Sequence, residues 1–393
     1  MTVVIRCGML IDGTGADPVQ DVVIRVEGDT IAQVGKEGEV EIPSDAEVID
    51  LGDQTVMPGL FDMHTHLGQI GERVIYEQRV VEHPMLALEA ARNLRRDLKA
   101  GITSLRVMGT YEFLLDVVVK QAIEADIIPG PRLFIATRSI HATNGHGRPP
   151  AGFDGPDEIR KAVRQNLRAG ADQIKITATG SVDKSGGHFE QGYTFEEIRV
   201  AVEEAHRVGK KVGAHVVKEP EVCVCLEAGV DCIEHGHILD QRSIDMLLEK
   251  DAWLVGTLAI VLDEKILEKD LEVNPAFGEI EWFPRRRAAP SSYKRAIEAG
   301  VKYTCGTDAM HGEMAMELQR LVELGIPEMT ALVSATRNAA DCCGVLDKLG
   351  TIEAGKWADI ISVAGNPLDD IKALRNVGLV MKGGRRYDHL SLQ

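Results

Sequence analysis

Over the first 57 residues apolar and polar positions alternate in short runs. Segments 3–6, 9–11, 21–27, 30–35 and 47–50 read as strands, and Asp12-Gly13-Thr14-Gly15 and Glu27-Gly28-Asp29 between them are turn material. Helical periodicity is absent, so this stretch predicts a small β unit. From about Pro58 the rhythm changes to an apolar run, a loop and an amphipathic helix, many times over. Strands are predicted at 61–66, 103–107, 132–136, 173–177, 211–215, 232–235, 253–257 and 303–307. In the helix predicted over 87–99, Leu88, Ala91, Leu94 and Leu98 follow three- and four-residue spacing, and Gly101 closes it. Thr194-Phe195-Glu196-Glu197 has the form of a capping box opening the helix that runs to His206. From Gly350 the tail returns to strands and turns. Eight strands alternating with helices indicate an α/β fold, a (β/α)8 TIM barrel over residues 58–346. Residues 1–57 and 347–393 are expected to form a composite β-sandwich domain from both chain ends.

Composition narrows the function. The 393 residues are 44% hydrophobic and 27% charged, as in a soluble globular protein, and only 4% aromatic, so Val, Ile, Leu and Ala must build the core. A net charge of -17 leaves no basic surface for nucleic acid. No apolar run approaches a membrane span, and the N-terminal segment has no apolar core behind a basic start. Seven cysteines, scattered through apolar segments, read as reduced buried thiols of a cytoplasmic protein. The expected partners are a small-molecule substrate and, at most, further copies of the same chain. Gly350 to Lys356 fits the skeleton of a phosphate loop, but Trp357 stands where Ser or Thr must meet magnesium, which argues against nucleotide binding.

The candidate chemistry falls at strand ends. In His64-Thr65-His66 two imidazoles, two residues apart on a strand, share a face and can reach one cation. Lys175 interrupts an apolar strand. It reads either as half of a core ion pair or as an amine whose pKa burial lowers, which carbon dioxide can convert to a carbamate bridging two metals. His215 and His235 each end a strand and, taken singly, read more often as core histidines; Asp308 taken singly also reads as a helix cap. Together the six sit at the C-terminal ends of strands, the face on which barrel active sites form. Nitrogen and oxygen donors without thiolate suit zinc, manganese, iron or cobalt, with zinc the default.

The run Met57-Pro58-Gly59-Leu60-Phe61-Asp62-Met63-His64-Thr65-His66, the strand Lys175, Ala214-His215, Ile233-Glu234-His235-Gly236, Gly306-Thr307-Asp308 and the tail from Gly350 to Ile360 resemble the amidohydrolase superfamily over nearly the whole chain. Within it the chain looks most like the branch of imidazolonepropionase and metal-dependent dipeptidases, and the stretch His141–Gly147 resembles a loop of that branch. The resemblance implies two divalent metal ions. His64, His66 and Asp308 would hold the first, His215 and His235 the second, and a carboxylated Lys175 would bridge them. It further implies that a hydroxide between the metals attacks a carbonyl, with Asp308 passing the proton to the leaving amine. His146 is a candidate donor to the developing oxyanion, or a residue that orients its loop. The reaction expected is hydrolysis of a C–N, amide-type bond. Alternatives are a dipeptidase acting on prolyl or basic C-terminal residues, a lactonase or organophosphate esterase on the same site, and a non-catalytic scaffold, which would not need all six ligands.

The chain also departs from that branch. Dipeptidase relatives carry Tyr two residues after the fifth-strand histidine, where this chain has Val217. His237 is a candidate replacement donor. His141 is grouped with His146 as a substrate-side residue, and Arg106, at the end of the second strand, as a candidate for an anionic group. The 180–189 loop is unlike the dipeptidase pattern. The connection 258–289 is expected to lie over the barrel mouth without regular structure. Its Arg285-Arg286-Arg287 run would either grip a substrate carboxylate or form a solvated charge cluster.

Overall fold

The computed structural model describes residues 2–67, 83–110, 114–143, 145–146, 152–182, 188–273 and 283–390, with backbone only at 83, 181–182, 188–191, 270 and 273. Four strands open the chain: β1 (Thr2–Leu10), β2 (Val19–Glu27), β3 (Thr30–Lys36) and β4 (Glu47–Pro58). The alternating segments predicted within the first 50 residues are these strands, with 3–6 and 9–11 merged into β1. Next come β5 (Leu60–Thr65), β6 (Ile102–Val107), β7 (Arg132–Ile135), β8 (Ile174–Thr177), β9 (Thr179–Val182), β10 (His188–Gln191), β11 (Val212–Lys218), β12 (Cys232–Ile238), β13 (Trp253–Gly256) and β14 (Lys302–Cys305). The chain closes on β15 (Ile360–Ala364), β16 (Val377–Lys382) and β17 (Arg385–Arg386). The helices are α1 (His83–Lys99), α2 (Leu115–Glu124), α3 (Gly155–Arg168), α4 (Phe195–His206), α5 (Glu221–Glu227), α6 (Gln241–Glu249), α7 (Leu258–Leu262), α8 (Glu264–Val273), α9 (Phe283–Glu298), α10 (Met314–Glu323), α11 (Glu328–Ser334) and α12 (Arg337–Cys342).

The central strands are parallel and buried. One sheet runs β5-β6-β7 and a second runs β14-β13-β12-β11-β8. All eight correspond to predicted strands. Every residue of β5, β6 and β8 is buried, which is why these segments read as nearly continuous apolar runs rather than alternating ones. Backbone bonds tie the two sheets at both flanks. Beyond β7, Ile140 N donates to Lys175 O at 3.0 Å and Thr177 N to Ile140 O at 2.9 Å; beyond β14, Asp308 N donates to His64 O at 2.8 Å.

Both chain ends meet in one seven-stranded sheet, ordered β17-β16-β15-β4-β1-β2-β3. There β4 lies between β1, its parallel neighbour, and β15, its antiparallel one. One apolar cluster on this sheet gathers Val3, Ile5, Val22, Ile24, Val56, Ile360 and Leu379.

Three readings need correction. Helix α1 buries Leu86, Ala90, Leu94 and Leu98, a strict four-residue stripe, and leaves the predicted Leu88 66% exposed. The 258–289 connection is largely helical, made of α7, α8 and the start of α9, with 274–282, including Trp282, outside the described residues. A buried carboxylate shapes its start: Glu317 accepts the backbone N–H groups of Leu258 and Ala259, free donors at the head of α7. The 180–189 loop contributes to the hairpin β9–β10, with 183–187 outside the described residues. The capping box is present as read, with Thr194 Oγ1 accepting from Glu197 N and Glu197 from Thr194 N.

Candidate metal centre

His64 is the penultimate residue of β5 and His66 follows the strand; Asp308 lies just beyond β14, beside β5. Each of the three offers one ligand atom, and these atoms lie within 4.8 Å of one another. Asp308 Oδ1 stands 3.6 Å from Nε2 of both histidines. The close approach depends on Gly306: a Cβ there would fall 2.2 Å from His64 N and 2.7 Å from Asp62 Oδ1. The histidines from β11 and β12 join the same cluster. Ring centroids are 4.6 Å apart for His64 and His235 and 4.5 Å for His215 and His235. Lys175, on β8, is 3% exposed. Its charge is felt at His64, His66, His215 and His235, helping burial to hold each of them below the usual imidazole range. Burial also brings the Lys175 amine down to about 8.

The residues fit divalent metal. The His66 Nδ1 faces the carbonyl of Gly109 at 2.7 Å, so it must carry the proton, leaving Nε2 with its lone pair toward Asp308. The His64 Nδ1 faces the Glu234 carboxylate at 2.9 Å with the same result. The His235 Nδ1 is 3.0 Å from Thr257 Oγ1. Among the described residues, Nε2 of His64 and of His215 are buried without a hydrogen-bond partner. Imidazoles held neutral, with the proton anchored on one nitrogen and the other left bare, are the usual preparation for a metal ligand.

Glu234 is the main participant that sequence reasoning missed as a site residue, although it lies in the Ile233-Glu234-His235 run. It is fully buried, and it occupies space above Gly213, where a Cβ would meet Glu234 Oε1 at 2.6 Å. Arg106 is the correction that goes with it. Its guanidinium bonds Glu234, its Nε donates to Met63 O at 2.8 Å, and it is 2% exposed. It therefore braces the carboxylate that orients His64 rather than offering a fork to substrate. Thr257 and Asp62 were also missed. Asp62 accepts from Thr307 N and Oγ1 and from His64 N, fastening β5 to the chain after β14. The Thr307 contacts of Asp62 lie 245 positions away and the histidine partners of Thr257 lie 20 and 22 positions away, on a different strand.

The other candidates are placed as follows. The His146 ring stacks on His215 with centroids 4.4 Å apart. His237 is buried, its Nε2 3.2 Å from Thr257 Oγ1 and its ring 6.1 Å from Tyr293. His141 is buried, which lowers its pKa to about 3. Val217 is buried on β11. Of the three arginines, Arg286 is engaged by Val261 O at 2.8 Å and by Glu264. Arg285 is buried, and its charge reaches His215, His235 and His237. Lys356, in the discarded phosphate-loop skeleton, bonds Thr351 and Glu353, and the next element after it is strand β15 rather than a helix.

Histidines and a lysine from parallel strands gather at Asp308, on the loop after β14, as the resemblance to the amidohydrolase superfamily implies. A profile described as the amidohydrolase family matches residues 55–387, and the chain belongs to that family. Ochratoxinase of Aspergillus niger is 30% identical, the match covering 98% of this chain and 86% of that one. Imidazolonepropionase of Geobacillus kaustophilus is 25% identical over 86% of this chain and 82% of that one. Among solved structures, a Xaa-Pro dipeptidase with bound methionine in its active site superposes with a TM-score of 0.89 at 33% identity, covering 98% of this chain and all of the other. The A. niger ochratoxinase structure superposes with a TM-score of 0.86 at 28% identity, covering 98% and 95%. No helix among the described residues is long and apolar enough to cross a membrane.

Proposed function

We propose that this protein hydrolyses a C–N, amide-type bond of a small molecule at a centre of two divalent metal ions, zinc by preference. The observation that carries the reading is the set of imidazoles with anchored Nδ1 protons and bare Nε2 atoms around Asp308. His64, His66 and Asp308 would hold one ion, and His215 and His235 the other. Lys175, as a carbamate formed from its neutral amine and carbon dioxide with loss of one proton, would bridge them. Bound there, the ions would polarise a carbonyl and bring the acidity of water toward neutrality. Asp308 takes the proton of the attacking water and returns it to the leaving amine. His146, stacked on His215, donates to the oxygen that gains charge, and His237 is the candidate replacement for the hydroxyl that Val217 does not supply. His141 lines the substrate side. The similarity to a Xaa-Pro dipeptidase, an enzyme of amide bonds by its name, supports the C–N reading over an ester. On the same reading the two central sheets close as a (β/α)8 barrel over 58–346, and 1–57 with 347–393 make a β-sandwich domain beside it.

The test is a panel of N-acyl amino acids, dipeptides and cyclic amides, each with a matched ester, offered to purified, chelated and zinc-restored protein. About two metal ions per chain, with amide turnover that disappears on chelation and returns with zinc, are expected. Amide turnover undiminished in metal-free protein would refute the proposal, and faster ester turnover would move the assignment to an esterase.

A further inference from the structure

The backbone at Asp308 is left-handed, with φ 54°, and so is that of Ala309, with φ 73°. Consecutive side-chain-bearing residues hold this conformation only where their surroundings impose it. One buried pair outside the ligand set grips the loop that follows. Asp97, near the end of α1, is fully buried; its Oδ1 accepts Gly312 N at 2.8 Å, and its Oδ2 lies 2.8 Å from His311 Nδ1. The other nitrogen of His311 faces the backbone carbonyl of His66 at 3.4 Å. A single imidazole thus connects the backbone of one candidate ligand, His66, to the loop that carries another, Asp308. Both ring nitrogens face acceptors, so the ring serves as a two-ended donor.

We infer that Asp97 and His311 form a latch that sets the distance between His66 and the Asp308 carboxylate, making both of them positioning residues for the centre. The inference rests on the reading that His64, His66 and Asp308 hold a divalent ion. Three ligand atoms must converge on one point, and the Asp308 oxygen reaches that point from a loop with little regular structure of its own. The latch converts this loop into a fixed arm by fastening it to α1, whose Leu94 and Leu98 are buried in the core. Packing alone would call for an apolar pair at this place; a carboxylate that spends both oxygens on one loop specifies position.

The experiment uses the full chain and its Asp97→Asn, His311→Phe and doubly substituted variants. Zinc affinity is read by competition with a chromophoric chelator. Protection of the Asp308 amide, bonded to His64 O, is read by hydrogen exchange without metal. Each single variant is expected to lose roughly 10–100-fold in zinc affinity, as for groups that orient ligands from behind, and the double variant to lose no more than the worse single one. Exchange at Asp308 should accelerate in all three. Wild-type affinity and protection in folded variants, even with a lower Tm, would overturn the latch. If Asp97→Asn does not fold, His311→Gln can satisfy one of the two acceptors; an intermediate loss supports the latch, and an unchanged affinity overturns it. A wild-type chain that binds no zinc, together with variants that lose Asp308 protection, would sink the metal reading while sustaining the latch.

Discussion

Replacing Arg106 with Met is the sharpest test of how the centre is supported. Met keeps much of the side-chain length and apolar contact but removes the only cation bonded to Glu234 in the described structure. Burial already pushes the Glu234 carboxyl above its ordinary range, with the charge of Arg106 pulling it back. Without that charge a fully buried carboxylate keeps the His64 Nδ1–H at 2.9 Å and the pull of the Lys175 charge. Breaking a buried pair by removing one partner costs about 3–5 kcal/mol, because the remaining charge is stranded. Arg106→Met should therefore show a large fall in Tm by calorimetry. Adding Glu234→Gln removes the stranded charge while leaving a carbonyl oxygen for His64, so the double variant should melt above the single one. Coupling between contacting residues of roughly 0.5–3 kcal/mol is ordinary, and here its sign must be favourable to the double change. An Arg106→Met variant within about 0.5 kcal/mol of the parent, the range of surface substitutions, would refute the reasoning.

Other outcomes follow from the same structure. Asp308→Asn should lower amide turnover by about 10²–10⁴-fold, the usual range for a proton-transfer group, with the circular dichroism spectrum unchanged; turnover within tenfold of the parent would contradict its proton role. Glu317 provides a pH test away from the centre. Burial raises it from 4.5 to about 8, against the opposing pull of the Leu258 and Ala259 N–H groups. The folded chain then holds a proton that the unfolded chain releases, so this contribution to stability is full below pH 4.5 and lost as pH rises through about 8. The melting temperature of the parent should fall relative to Glu317→Gln between pH 5 and pH 8.5, whereas parallel curves would contradict the assignment. All seven cysteines are free and six are buried, so a thiol reagent should count seven only after unfolding; rapid labelling of more than one or two in the native state would show that the core opens.

The architecture was largely legible because most of the central strands are buried on both faces and so leave apolar runs of recognisable length. The candidate ligands stood out only as a set: each alone reads as a core histidine, an ion-paired lysine or a helix cap, and their shared place at strand ends singles them out. What escaped was everything whose partner lies far along the chain. Arg106 read as a substrate contact because nothing near it in sequence points to Glu234, 128 positions away. Asp97 and His311 stand 214 positions apart, and neither carries a local signal. Leu88 misled because three- and four-residue spacing admits two neighbouring faces on α1, and only packing decides between them. The 258–289 segment was taken as irregular because the carboxylate that caps α7 is supplied from α10.

The composite sheet has a consequence for how the chain is made. Strand β4 must receive β15 along its open edge, and the Thr55 hydroxyl finds its acceptor, Gly365 O, 310 positions later. During synthesis, at about 5–20 residues per second, that edge therefore waits tens of seconds for its neighbour. A nascent chain would carry four finished strands beside an unpaired template for β pairing, the kind of edge that invites contact with other chains. Chaperone dependence during translation, and aggregation of chains truncated before residue 360, would then trace to the delay built into this sheet rather than to any weakness of the finished fold.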